Sequence, residues 1–180
     1  MKILVVVDAQ VDFITGKLGS EEAQKVLPNI VNKIHDADNI VLTVDTHYSN
    51  YLETQEGKNL PVEHCIIDTD GFEIHPDIIE AMGEKYRMAV FKNTFGSRHL
   101  PTSLEQYAIS HGYIEEIELV GYVLDICVIS NALLLKAFFT ETPIKVDVSC
   151  CAATSPENRD AAIKMLKSCQ IEVLNEEVRV

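Results

Sequence analysis

Ile117-Glu118-Leu119-Val120-Gly121-Tyr122-Val123-Leu124-Asp125-Ile126-Cys127-Val128 is the stretch from which the architecture can be read. Ile117 to Val123 is an apolar run of strand length. A helix-period pattern follows from about Asp125 to Phe139, with apolar residues at 126, 129, 133, 134 and 137. Cys127 therefore falls in the first helical turn, just past the carboxyl end of a strand. Unpaired backbone N–H groups and the positive end of the helix dipole favour a thiolate there. The same amides can hold an oxyanion. Packing in the core is the ordinary fate of a lone cysteine, but the rest of the chain argues for chemistry.

Outward from this stretch, short apolar runs alternate with amphipathic segments. The pattern predicts strands at 2–8, 39–45, 87–92, 117–122, 144–149 and 171–174, and helices at 28–37, 76–82, 102–111, 125–139 and 156–168. Pro28, Pro76 and Pro156 each suit a first helical turn, and Ser155 is a good N-cap for the last. Continuous Val/Ile/Leu runs mean strands buried on both faces. With helices between them, they predict one domain, residues 1–180: a three-layer α/β/α sandwich on a six-stranded, mainly parallel sheet. Residues 46–75 form a long polar segment without clear periodicity, and a loop of that length is usually functional.

Composition narrows the function. The 180 residues carry 28 Asp and Glu against 15 Lys and Arg, a net charge of −13, which argues against nucleic acid or an anionic membrane as partner. No apolar run approaches the roughly 18 residues of a membrane span. The N-terminal residues run straight into a strand ending in aspartate, which predicts no secretory signal and a cytoplasmic protein. The five cysteines lack CxxC spacing, so neither a disulfide framework nor a zinc ribbon is indicated. Cys150 and Cys151 read as packing residues.

Ligands of such sheets bind outside the carboxyl ends of the strands. Here the first three strands end in Asp8, Asp45 and Lys92, and Cys127 lies just beyond the fourth. A strand-end aspartate is often a cap and a strand-end lysine usually surface, yet the four together allow coherent chemistry. Asp8 is the base for a Cys127 nucleophile, and Lys92 keeps the carboxylate charged and balances the thiolate. Asp45-x-His47 projects two side chains in one direction, and Glu53, Glu56 and His64 follow in the loop. A histidine returning through that loop can close a divalent metal site. In the plainer reading His64 is a polar loop residue and Asp45 a cap.

These motifs resemble the isochorismatase-like cysteine hydrolases, and within them the nicotinamidase/pyrazinamidase branch. The resemblance runs from Val6-Val7-Asp8-x-Gln10-x-Asp12-Phe13 through Asp45-Thr46-His47, Leu60-Pro61-Val62-Glu63-His64-Cys65, Thr69-x-Gly71-x-Glu73-Ile74-His75-Pro76 and Phe91-Lys92 to Gly121-x-x-x-Asp125-x-Cys127-Val128. It implies a catalytic triad of Asp8, Lys92 and Cys127, and a cis peptide at Tyr122–Val123 that aims the Val123 and Cys127 amides at one oxyanion. It also implies one divalent ion (Zn, Mn or Fe) on Asp45, His47 and His64, with Glu56 a better fourth ligand than Glu53. The implied reaction is hydrolysis of nicotinamide or a similar aromatic carboxamide, a step of NAD salvage, in a homo-oligomer. Phe13, Leu60 and Tyr122 are the expected substrate contacts, and Tyr48 and Phe95 are further candidates to stack on a ring. The chain departs from the branch at Leu60, where tryptophan is common, and at Leu124, where threonine is; both departures bear on the substrate pocket.

Rival readings explain less. N-carbamoyl amide hydrolases share the triad but generally lack the Asp/His/His set, and isochorismatases act on a vinyl ether and often lack the cysteine. A flavodoxin-like binding module leaves Asp8, Lys92 and Cys127 unexplained, and Gly16 and Gly19 do not form a phosphate loop. Redox sensing by Cys127 has no resolving cysteine nearby in sequence.

Overall fold

Val5, Val6 and Val7 are fully buried, and all six residues of the second strand are buried, so the sheet is covered on both faces. The computed structural model describes residues 1–178; 179–180, the end of the expected domain, lie outside them. Its strands are β1 (Lys2–Val7), β2 (Ile40–Asp45), β3 (Tyr86–Lys92), β4 (Glu116–Gly121), β5 (Ile144–Cys151) and β6 (Glu172–Leu174). They form one sheet in the order β3-β2-β1-β4-β5-β6, every pair parallel. The helices are α1 (Val11–Ile14), α2 (Glu21–Asp36), α3 (Gln55–Asn59), α4 (Pro76–Met82), α5 (Leu100–His111), α6 (Ile129–Phe138) and α7 (Pro156–Ser168). Two apolar cores flank the sheet. Leu100, Leu104, Leu135 and Ile163 belong to one, and Val26, Ile30, Ile34 and Ile78 to the other. Among the described residues, no helix is long and apolar enough to cross a membrane.

Three expectations need correction. The helix predicted at 28–37 begins at Glu21, capped by Ser20, whose Oγ accepts from the Ala23 N–H at 3.0 Å. Its buried stripe of Ala23, Val26, Leu27, Ile30 and Ile34 carries it through Pro28, which lies inside the helix rather than at its start. The helix predicted at 125–139 is two pieces: a π-helical turn over Leu124–Val128, then α6. The segment 46–75 contains α3 and 3-10 turns at Tyr51–Glu53 and Asp70–Phe72, too short to leave a periodic signal. By contrast, Ser155 caps α7 as expected, accepting from the Asn158 N–H.

The strand order reverses between β1 and β4, which makes the crevice at their carboxyl ends the topological switch point. Asp8, Asp45, Lys92 and the Leu124–Val128 turn all lie at that edge. Gly121 permits the close approach: its φ is +124°, and a Cβ there would stand 2.1 Å from the Val7 carbonyl oxygen.

Candidate active site

Asp8, Lys92 and Cys127 converge. Asp8 is fully buried with φ +50°, and its Oδ1 accepts from the Thr43 hydroxyl at 2.7 Å. Lys92 Nζ stands 2.7 Å from Asp8 Oδ2 and 3.7 Å from Cys127 Sγ. It also lies 3.2 Å from Asp45 Oδ1. Burial pushes the Asp8 carboxyl above its ordinary range, against the opposing pull of Lys92. Burial alone would depress Lys92, but Asp8, Cys127 and Asp45 outweigh it and hold the ammonium firmly charged.

Cys127 is buried, 4% exposed. Burial pushes its thiol well up, while the charge of Lys92 pulls the other way. Around it the π turn is open: the Ile126 and Val128 N–H groups both donate to the Val123 carbonyl. The Tyr122–Val123 peptide is cis, and among the described residues no backbone acceptor takes the Val123 N–H. Asn131, fully buried, holds the turn to the β3–α5 loop. Its Nδ2 donates to the Cys127 carbonyl at 2.8 Å and its Oδ1 accepts from the Ser97 N–H at 2.9 Å.

The second group shares Lys92. Donor atoms of Asp45, His47 and His64 lie within 4.8 Å of one another, all three residues being buried. His47 Nε2 is 3.1 Å and His64 Nε2 3.5 Å from Asp45 Oδ2. Glu56 Oε1 stands 3.5 Å from His47 Nε2 and 3.8 Å from His64 Nε2, while Glu53 is exposed. His64 Nδ1 lies 2.8 Å from the Val62 carbonyl; donating there leaves Nε2 as the free ligand nitrogen. Burial pushes Asp45 up, but hydrogen bonds from His47 and His64 and the charge of Lys92 outweigh it, holding the carboxyl well below its usual range. Two imidazoles and a carboxylate with lone pairs converging are a donor set that fits a divalent ion such as zinc.

Of the expected substrate contacts, Leu60 lines a cleft of about 790 Å³ with His47, Tyr48, Glu56, Phe95 and Ile126. Phe13 packs edge-on against the His64 ring at 5.6 Å. Tyr122 does not reach the cleft. Its fully buried ring sits in the core on the α2 face, and its hydroxyl donates to the Ala23 carbonyl at 2.9 Å. Leu124 is likewise core. The Tyr122 correction follows from register: of the residues leaving β4, Tyr122 faces the core and offers the site only its backbone.

Four supporting residues carry roles that the sequence did not assign. Thr43 holds Asp8. Tyr51, fully buried, packs edge-on against both His47 (4.7 Å) and His64 (5.0 Å). Asp12 accepts the Cys65 N–H at 2.8 Å and so anchors the strand-like segment beside His64. Gln10 bonds the Asp45 backbone. Gln10 and Asp12 stand in the Asp8-x-Gln10-x-Asp12-Phe13 motif, while no local signal marks Thr43 or Tyr51.

Fold and site together define a parallel α/β domain with a buried Asp–Lys–Cys group beside an Asp–His–His cluster. The Isochorismatase domain profile matches residues 2–178, and the chain belongs to the isochorismatase family. No curated protein sequence matches it. Among solved structures, the Bacillus subtilis nicotinamidase/pyrazinamidase is similar at 23% identity and TM-score 0.79, covering 97% of this chain and 99% of that one. The Pyrococcus horikoshii pyrazinamidase in complex with zinc gives 23% and 0.78, over 96% and 98%. The Thermoplasma acidophilum N-carbamoylsarcosine amidase gives 23% and 0.76, over 99% and 98%.

Proposed function

We propose that this protein is a cysteine amidohydrolase, assisted by one divalent metal ion, that converts nicotinamide or a similar small aromatic carboxamide to the acid and ammonia. One observation carries the reading: Lys92 Nζ contacts Asp8 at 2.7 Å and lies 3.7 Å from Cys127, beside a cluster of metal-type donors. Asp8, its proton affinity raised by burial, takes the thiol proton as Cys127 attacks the amide carbon. The Val123 and Cys127 N–H groups hold the developing oxyanion. Asp8 returns the proton to departing ammonia, then activates the water that cleaves the thioester. Lys92 stays charged and non-covalent, balancing whichever of Asp8 and Cys127 is anionic.

Asp45, His47, His64 and Glu56 are the proposed metal ligands, with Zn, Mn or Fe the candidates. When bound, the ion offers a Lewis-acid anchor to a ring nitrogen of the substrate. Phe13 and Leu60 border the ring, and Tyr48 and Phe95 close the outer cleft. The same reading makes the protein a cytoplasmic homo-oligomer of NAD salvage. Hydrolysis of an N-carbamoyl compound is the second reading. Leu60, 37% exposed where tryptophan is common in the amidase branch, and the N-carbamoylsarcosine amidase neighbour favour it.

Ammonia release from nicotinamide by wild type and Cys127→Ala, each with and without chelator, tests the proposal. The expected result is activity lost in the variant and in the chelated wild type. A Cys127→Ala protein with full activity refutes the mechanism. A metal-loaded wild type that ignores nicotinamide but releases ammonia from N-carbamoyl compounds moves the assignment to the second reading.

A further inference from the structure

β1 leaves the sheet before β2 does. Its backbone pairing ends with Val7 opposite Thr43 and the Asp8 N–H on the Thr43 carbonyl at 3.1 Å. There Asp8 takes φ +50° and the chain turns away. β2 continues through Val44 to Asp45, so Asp45 has no β1 backbone beside it.

Gln10 fills that place with its side chain. Its Oε1 accepts the Asp45 N–H at 2.7 Å and its Nε2 donates to the Asp45 carbonyl at 2.8 Å. One carboxamide thus makes both hydrogen bonds a neighbouring strand would make. The second Nε2 hydrogen goes to the Phe72 carbonyl at 2.8 Å, which ties in the far end of the 46–75 loop. Gln10 is fully buried, and its own backbone bridges to Ile74. On its other edge Asp45 is paired with Lys92, whose carbonyl accepts the Thr46 N–H at 2.7 Å.

The Asp45 backbone is therefore clamped from both sides, and its carboxylate divides its work. Oδ1 meets Lys92 at 3.2 Å, and Oδ2 meets His47 and His64 at 3.1 and 3.5 Å. A rotation or slide of Asp45 would sacrifice one set for the other.

We propose that Gln10 is the positioning residue of this centre, its carboxamide standing in for a missing strand segment so that Asp45 serves Lys92 and the two histidines at once. The inference rests on the metal reading above. It contrasts with a core role, in which Gln10 would merely satisfy buried polar groups and its loss would weaken the fold without singling out the metal.

The test titrates Co²⁺ into metal-stripped wild type, Gln10→Met and Ile163→Val, each verified as folded by circular dichroism. Methionine keeps the length of glutamine and removes all three hydrogen bonds. Ile163→Val opens a small defect in α7 and reports what lost stability alone does. Partners that orient a metal ligand are worth about 10–100-fold in metal affinity, so Gln10→Met should bind Co²⁺ more weakly by about tenfold, and by no less than about fivefold, while Ile163→Val stays within about twofold. A loss smaller than fivefold in Gln10→Met overturns the proposal and leaves the metal reading standing. A wild type that binds neither Co²⁺ nor Zn²⁺ brings down both. If Gln10→Met does not fold, Gln10→Asn, with donor and acceptor one methylene too short to span both Asp45 groups, goes through the same titration under the same fivefold criterion.

Discussion

Replacing Lys92 by methionine strikes the charge on which the whole centre depends. The lysine side chain is 1% exposed, with Nζ 2.7 Å from Asp8 and 3.2 Å from Asp45. Methionine keeps the apolar stem and removes the cation, leaving two buried carboxylates facing each other. Breaking a buried pair in this way costs about 3–5 kcal/mol, a large share of a typical stability of about 5–15 kcal/mol. With a urea slope of about 2 kcal/mol/M, the midpoint should fall by roughly 1.5–2.5 M. The deficit also depends on pH. Burial already raises Asp8 above the ordinary aspartate value of 3.8, and Lys92 is the main opposing influence, so without Lys92 the carboxyl rises further. A carboxyl with a raised folded pKa contributes stability below its unfolded value and loses it as pH climbs through the folded one. The variant should therefore be hurt more at pH 8 than at pH 5. Urea unfolding followed by circular dichroism, in chelator, at both pH values checks this, and amide turnover should vanish. Adding Asp8→Asn should restore much of the lost stability by removing the stranded charge. A Lys92→Met protein as stable as wild type at pH 8, or equally damaged at both pH values, refutes the reasoning.

Gly121→Ala places a methyl 2.1 Å from the Val7 carbonyl oxygen at φ +124°. Overpacking and backbone strain, each about 1–3 kcal/mol, predict a combined loss of about 2–6 kcal/mol, and a urea midpoint close to wild type would contradict it. Asp147, buried in β5, accepts from the Ser149 N–H and hydroxyl and from Asn175, and pairs with Lys33 at 2.8 Å. Burial pushes its carboxyl up, but these partners outweigh it and hold it low. Its stabilisation is thus present above the unfolded value of 3.8 and lost as pH falls through the folded one. Asp147→Asn should cost about 1.5–3 kcal/mol at pH 7 and flatten the acid limb of the stability profile; an unchanged limb would show that Asp147 does not drive it.

How much was legible follows from the range of each signal. The strands were readable because burial on both faces leaves unbroken Val/Ile/Leu runs, and every one was anticipated to within two residues at each end. Pro28 misled because proline usually opens a helix, whereas here the apolar stripe from Ala23 to Ile34 overrides its cost. That Asp8, Lys92 and Cys127 come together was readable because strand ends of a parallel sheet share one edge. Tyr51 and Thr43 were not, since what makes them matter is contact with residues distant in the sequence or across strands. Tyr122 was misassigned because adjacency to a nucleophile says nothing of which face a side chain takes.

The placement of the histidine cluster beside the triad has an electrostatic logic. Asp8 and Asp45 are buried carboxylates, and Glu56, partly buried, is raised by burial and by Asp45 although His47 and His64 pull it down. Against these three acids the centre sets one permanently charged side chain, Lys92, which cannot neutralise them all. Burying net negative charge is costly, and the chain as a whole, at −13, supplies no background of positive potential to relieve it. A divalent cation at Asp45, His47 and His64 would correct the imbalance where it arises. It would draw the Asp45 charge toward the histidines and leave Lys92 to Asp8 and the sulfur of Cys127. On this view a metal at the histidine cluster and a nucleophile at Cys127 would be neighbours because they would share one lysine. The clamp on Asp45 matters for the same reason: it sets how that lysine's charge is divided between the two.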